Sequence, residues 1–178
     1  MKKTSMPFNT EGAPVRILGA DFDLIREDAL IQQLEALLSV GSEHRQILIA
    51  NHNLHGIFCF HNDPDYRKFA DKADIRLIDG IPLVWFARLT GKRQIIRGHR
   101  NTPLDYCIKL MAKLPPEPKR KVYILGGTPE SSRSGIDAWR RLYPHLDVEG
   151  DHGYFDWKTE GASRVDRINA FGPDLLFV

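Results

Sequence analysis

The sequence predicts an α/β fold of Rossmann-like type, a mainly parallel sheet with helices on both faces. Three observations carry that expectation. Short apolar runs of strand length alternate with helical stripes along nearly the whole chain. Polar, glycine-containing loops repeatedly follow the ends of those runs and lead into helix starts, as they do between a parallel strand and its crossover helix. The 178 residues are 42% hydrophobic and 27% charged, enough apolar surface for one core and too balanced a charge for disorder.

Each element follows from local pattern. Residues 1–14 lack periodicity and read as a tail or first loop, leaving 15–178 as one α/β core. Val15 to Leu18 reads as a short strand. From Asp28, a candidate N-cap, the stripe Leu30, Ile31, Leu34, Leu37 and Leu38 predicts a helix that Gly41 stops. Gln46 to Ala50 reads as a strand, Pro64 to Ala73 as a helix carrying Tyr66, Phe69, Ala70 and Ala73, and Ile75 to Ile78 as the next strand. Helices follow from Pro82 to Leu89 and from Pro103 to Leu114, the second with Leu104, Ile108 and Met111 inward. The prolines at 115, 116 and 118 close it. Val122 to Leu125 is a strand, Pro129 to Tyr143 a helix, Leu146 to Val148 a strand, Ala162 to Ala170 a helix, and Asp174 to Val178 a last buried-strand pattern.

Composition narrows the function. A net charge of +2 is too weak an imbalance to hold duplex DNA by phosphate contacts, and no nucleic-acid partner is expected. Cys59 and Cys107 lie in apolar stretches without metal-ligand spacing and read as buried thiols of a reducing compartment. No signal-peptide core and no membrane-length apolar window occurs, which points to a cytoplasmic protein.

In parallel sheets ligands gather beyond the carboxyl ends of the strands, so the loops there hold the candidate site. Asp79-Gly80 ends a strand before a helix. A carboxylate at that place either caps the helix or takes a proton from an attacking hydroxyl, and the two roles are compatible. Asn51 and Asn53 flank His52 after a strand; they read either as turn or N-cap residues or as partners for sugar hydroxyls. His52 and His55 lack a third ligand at metal spacing. Gly126-Gly127-Thr128-Pro129 is a strand-to-helix turn, with Thr128 as cap and Pro129 at the first helical position. It either turns the chain tightly or cradles a diphosphate, and it matches neither the dinucleotide nor the P-loop fingerprint. Asp21-Phe22-Asp23 has a D-x-D form and reads as a structural loop. The basic run from Lys92 to Arg100 reads as a solvated connection or as the source of a guanidinium for a departing phosphate.

Taken in register, these segments resemble the WecG/TagA/CpsF family of bacterial glycosyltransferases. The resemblance runs over most of the chain: Asn51-His52-Asn53, Asp63-Pro64-Asp65-Tyr66, Ile78-Asp79-Gly80 with the apolar helix to Trp85, Leu125-Gly126-Gly127, His152-Gly153-Tyr154-Phe155, Ile168-Asn169, and Gly172-Pro173-Asp174 with the apolar run to Val178. It implies inverting transfer of a sugar from a UDP-sugar to a polyprenyl-diphosphate-linked saccharide in cell-envelope or exopolysaccharide synthesis, with no cofactor and no metal. Under it Asp79 is the catalytic base and Arg97 the phosphate-side arginine, while Asn51, Asn53, Gly80, Gly126, Gly127, Gly153, Tyr154 and Phe155 bind substrate. Asn51 replaces the family's usual threonine. Gly98-His99-Arg100-Asn101-Thr102 replaces its common pattern after the arginine. Family members continue past the last strand with a Gly-rich loop and a basic segment that meets the membrane. The resemblance therefore implies a core truncated at its C-terminus, peripheral at the inner face of the cytoplasmic membrane when full length, with homo-oligomerisation left open. The alternative is a module that binds a UDP-sugar without turnover; a dinucleotide-dependent oxidoreductase is disfavoured by the missing glycine fingerprint.

Overall fold

Residues 8–39 and 46–178 are described in a computed structural model, and the chain divides into two units, Met1–Leu110 and Met111–Val178. In the first unit, the loop from residue 8 is tied down by the buried Phe8 and by the Glu11 amide, which donates to the Leu24 carbonyl at 2.7 Å. Strands β1 (Val15–Ile17) and β2 (Ala20–Phe22) form an antiparallel hairpin pairing Val15 with Phe22. Its two turn residues, Leu18 and Gly19, both have positive φ, the backbone that lets a two-residue turn match the strands' twist. The D-x-D tripeptide is therefore strand and strand exit, not loop.

Helix α1 (Glu27–Ser39) buries Leu30, Ile31 and Leu34. Asp28 lies inside its first turn, where a carboxylate offsets the positive helix end, rather than at the cap. The expected stop at Gly41 lies outside the described residues.

Strand β3 (Ile49–His52) begins three residues later than the apolar run suggests. Register is the cause. The Asp74 carboxylate accepts from the Leu48 amide at 2.9 Å and the Asp74 amide donates back to the Leu48 carbonyl. That clamp starts the parallel ladder with β4 (Ile75–Ile78), from Ile49 opposite Ile75 to His52 opposite Ile78. Asn51 and His52 thus belong to the strand itself.

Helix α2 (Leu54–Asn62) has no counterpart among the expected elements. Asn53 caps it by accepting from the Gly56 amide at 2.9 Å. Asp63 then caps α3 (Pro64–Lys72), accepting from the amides of Asp65 and Tyr66. After β4 come α4 (Ile81–Leu89), a 3-10 turn at Arg97–His99, and α5 (Pro103–Lys113). The inward face of α5 is Tyr106, Cys107, Leu110 and Met111; Leu104 and Ile108, expected inward, are exposed. The first unit's core gathers Phe22, Leu24, Ile57, Phe60, Leu83 and Val84 around the parallel pair.

In the second unit β5 (Lys121–Leu125) is central, parallel to β6 (Asp147–Asp151) on one side and to β7 (Leu175–Phe177) on the other. Helix α6 (Pro129–Leu142) starts as expected, with Thr128 as cap and Pro129 at its first position. Helix α7 (Trp157–Phe171) begins earlier than expected because Asp156 caps it, and it ends on Gly172 in the left-handed region. Strand β7 is an edge strand with Leu175 and Phe177 half-buried and Leu176 exposed, not the fully buried strand its apolar run suggests. The fold is Rossmann-like α/β, its parallel pairing shared between two sheets rather than running through one.

Candidate functional site

Parallel pairing places Asn53 and Asp79 side by side, each the first residue beyond its strand, and the Asp79 amide donates to the His52 carbonyl at 2.8 Å. Helix α4 does not use Asp79 as a cap. Its N-cap is Gly80, and no side chain caps it. Gly80 has φ of +93°, a backbone that side-chain-bearing residues rarely adopt, so glycine here turns the strand into the helix and leaves the carboxylate at the sheet edge. The Asp79 side chain is half-buried, and among the described residues no hydrogen bond or ion pair ends on it. Its negative charge is felt by Tyr106, whose hydroxyl is held far above the usual phenol range, first by burial and further by the neighbouring Cys107 and Asp79.

Asn51 is held at both ends. Its amide donates to the Asn101 carbonyl at 2.8 Å, and its carbonyl oxygen accepts from the Tyr106 hydroxyl at 3.1 Å. Both partners lie far along the chain, which is why sequence spacing missed Tyr106 and Asn101. Asn53 is exposed, and its oxygen is used by the α2 cap. His52 is a core residue: 1% exposed, edge-on to Phe22, Phe60 and Tyr66, and sharing a 3.0 Å hydrogen bond between its Nδ1 and the Tyr66 hydroxyl. Burial, then the charge of Arg76, keeps its pKa below the ordinary imidazole value, so it stays neutral.

The segment carrying Arg97 returns to the same strand end. Arg100 bridges Ile78 in parallel, and the Asn101 amide donates to the Ile78 carbonyl at 2.8 Å. The residues that depart from the family pattern make this anchor. Buried His99 meets the Glu11 carboxylate at 3.1 Å, and the Asn101 amide group donates to the carbonyls of Ile25 and His99. Arg97 is exposed, with no carboxylate paired to it among the described residues.

The D-x-D carboxylates are both engaged. Asp21 pairs with Arg16 at 2.8 Å, and the fully buried Asp23 accepts from the Arg76 guanidinium at 3.0 and 3.1 Å and from its amide. Among the described residues no three His, Cys, Asp or Glu side chains converge as a metal-holding group. Cys107 is buried, its thiol pushed up to about 12 by burial, whereas Cys59 is only half-buried, contrary to expectation.

In the second unit the turn after β5 is stitched to the turn after β6. The Gly126 amide donates to the Asp151 carbonyl and the Gly153 amide to the Gly127 carbonyl, both at 3.0 Å. A Cβ on Gly153 would lie 3.2 Å from the Gly126 Cα, so the two turns meet at glycine distance. A cavity of about 130 Å³ opens beside them, lined by Gly126, Gly127, Ser131, Ser132 and Trp139 among others. Tyr154 is exposed, and Phe155 lies under the Arg164 guanidinium at 5.0 Å. Behind the turn, Asp151 pairs with Arg164 and with Arg167, the latter at 2.8 Å, while Arg164 Nη2 faces His152 Nε2 at 3.3 Å. Burial raises the Asp151 pKa, but these guanidiniums and the His152 amide outweigh it and hold the carboxyl below its usual range. Arg164 and Arg167 lie one turn apart on α7, but nothing in that spacing points to Asp151 as their partner. Asn51, Asn53, Asp79, Gly80 and Arg97 thus belong to one unit; Gly126, Gly127, Gly153, Tyr154 and Phe155 belong to the other.

Comparison with known proteins agrees with the motif order. Residues 15–178 match the model of the glycosyl transferase WecG/TagA/CpsF family. Curated relatives from Staphylococcus aureus strains MRSA252 and NCTC 8325, both named N-acetylglucosaminyldiphosphoundecaprenol N-acetyl-beta-D-mannosaminyltransferase, are 26% identical over 167 residues. That alignment takes in 93% of this chain and 63% of each relative, so the chain spans less than two thirds of their length. The chain belongs to the WecG/TagA/CpsF family of glycosyl transferases.

Proposed function

We propose that the chain is the core of an inverting glycosyltransferase that moves a sugar from a UDP-sugar to a polyprenyl-diphosphate-linked saccharide, without a metal, at a membrane surface. The observation that carries the reading is Asp79, an uncapped carboxylate at the carboxyl edge of a parallel strand pair and free of partners among the described residues. The names of the relatives, which specify a diphosphoundecaprenol-linked N-acetylglucosamine and transfer of N-acetylmannosamine, supply the class of acceptor and of sugar.

In this chemistry the acceptor hydroxyl oxygen attacks the anomeric carbon while its proton passes to an Asp79 carboxylate oxygen. The bond from that carbon to the diphosphate oxygen breaks, and its electron pair leaves with UDP. One in-line displacement inverts the anomeric centre. Arg97 offsets charge on the departing diphosphate. Asn51, held by Asn101 and Tyr106, fixes the strand end next to Asp79, and Asn53 and Gly80 form the adjoining edge. Within the second unit, the turns at Gly126, Gly127 and Gly153, with Tyr154 and Phe155, are that unit's own candidate for substrate binding.

The test is turnover of a panel of UDP-sugars on a short-chain lipid-diphosphate acceptor, with titration of each donor in parallel. The expected result is transfer with inversion in the parent and a loss of roughly a hundredfold or more in Asp79→Asn with donor affinity kept. Donor binding without transfer in a chain extended to the relatives' length would instead favour a binding module.

A further inference from the structure

Arg97 opens a 3-10 turn of only three residues, Arg97–His99, and its side chain is exposed, so the place of its guanidinium depends on how firmly that turn is held. Two backbone bonds close the turn, from the His99 amide to the Ile96 carbonyl and from the Arg100 amide to the Arg97 carbonyl. A third comes from the His99 ring, whose Nδ1 accepts from the Ile96 amide at 3.3 Å. The accepting nitrogen carries no proton, so the ring N–H is on Nε2, and it donates to a Glu11 carboxylate oxygen at 3.1 Å. Glu11 lies 88 positions earlier in the chain, in the loop before β1.

Bonds on opposite sides of one ring fix its plane. The His99 side chain is 2% exposed and that of Glu11 47%, so the ring is the buried member of the pair and the carboxylate reaches it from the surface. The loop does not need this contact to stay in place. Phe8 is buried, the Asn9 amide donates to the Gln33 side chain at 2.7 Å, and the Glu11 amide donates to the Leu24 carbonyl at 2.7 Å. Nor is stability a sufficient reason for the pair, because a carboxylate half open to water contributes little, and the other Glu11 oxygen already meets Arg26 at 3.1 Å. The Glu11 side chain adds orientation. A ring free to rotate would take Nδ1 away from the Ile96 amide and leave buried polar atoms unpaired. From the other side Asn101 seats the same segment, its amide on the Ile78 carbonyl and its side chain on the His99 carbonyl. The turn is thus clamped between the strand end that leads into Asp79 and the loop that carries Glu11.

We propose that Glu11 and His99 are positioning residues for Arg97. Glu11 holds the His99 ring, the ring holds the Ile96 amide, and the turn so fixed sets Arg97 for the departing diphosphate. The purpose rests on the transferase reading; the clamp itself does not.

Amide hydrogen exchange by NMR over residues 95–101, and turnover of UDP-sugars on the short-chain lipid-diphosphate acceptor, are read on the same variants. Glu11→Ala leaves the ring without its acceptor, so the Ile96 amide should exchange about tenfold faster or more, and kcat should fall by about tenfold with the acceptor KM kept. Glu11→Gln, whose amide oxygen still accepts from Nε2, should restore most of both. Arg26→Gln, which removes the other partner of the same carboxylate, should change neither. In an Arg97→Ala background Glu11→Ala should cost no further turnover, since nothing is left to position. A merely structural Glu11 would lower the melting temperature and leave kcat, or its loss would add to that of Arg97→Ala. Unchanged exchange in Glu11→Ala, an unchanged kcat beside a damaged Arg97→Ala, or additive losses overturn the proposal. Faster exchange beside an Arg97→Ala variant as active as the parent would fault the role given to Arg97 in transfer while the clamp stands. A parent without turnover on any donor would fault the transferase reading in the same way, and exchange alone would then decide the clamp.

Discussion

Asp79 and Asn51 occupy neighbouring strands and differ in what surrounds them. The Asp79 carboxylate has no partner among the described residues, so Asp79→Asn removes no contact and should shift the melting temperature little while abolishing most turnover. Asn51 is fastened by two hydrogen bonds, and Tyr106→Phe deletes one of them, leaving a half-buried carbonyl oxygen unpaired at a cost of about 1 kcal/mol or more. Denaturant unfolding should show that loss, and turnover should fall with it because the strand end beside Asp79 loosens; unchanged turnover would leave Asn51 with a purely structural role. Asp23 gives a contrasting outcome. It is fully buried against Arg76, and Asp23→Ala strands that guanidinium, for an expected loss of about 3–5 kcal/mol in unfolding free energy with no effect specific to metal addition.

At the scale of elements, legibility tracks how far each element is specified by its own residues. The helices opened by proline, α3, α4, α5 and α6, were readable because proline at the first turn and a periodic stripe are local signals. Strand β3 was displaced because its start is set by Asp74 clamping Leu48, a contact 26 residues away. Helix α2 was missed because histidines and glycine interrupt its stripe, so that the N-cap reading open to Asn53 had no helix to attach to. The inward face of α5 was misjudged because Tyr106 turns in to reach Asn51, a partner invisible to periodicity. In the same way Asp79, Gly80 and the Gly126-Gly127 turn were legible as strand-to-helix junctions, whereas the Asn51–Tyr106 and Asp151–Arg164 contacts were not. Gly153→Ala tests one junction directly. The new methyl would press on the Gly126 Cα at 3.2 Å, so the two turns must separate. The expected result is weakened donor binding by calorimetry with the parent's helix content; unchanged affinity would remove the turn pair from the substrate site.

On the scale of the whole molecule, the acid response follows from groups in both units whose proton affinity is lowered by folding. In the first unit His52 is held neutral, chiefly by burial and then by Arg76. Its folded pKa lies below the unfolded value, so the unfolded chain binds the extra proton first and stability falls as pH drops below about 6.5, by at most about 1.4 kcal/mol per pH unit. In the second unit Asp151 is held below its usual value by Arg164, the His152 amide and Arg167 against the opposing effect of burial. Its stabilisation is fully present above the unfolded carboxylate value of about 4 and is lost as pH falls through the folded one. As acid is added the first window opens near pH 6.5 and the second near pH 4. Urea unfolding between pH 8 and pH 5, followed by tryptophan fluorescence, should therefore show a decline in stability that is smaller in His52→Gln than in the parent, even if the variant is less stable at pH 8. Arg167→Gln should leave the slope of that upper window unchanged, lower stability by a constant amount above about pH 4, and lose its difference from the parent as pH falls further and Asp151 takes up its proton. A parent and a His52→Gln variant with parallel pH profiles would mean that His52 gains a proton in the folded state without penalty, and that its apolar surroundings do not hold it neutral.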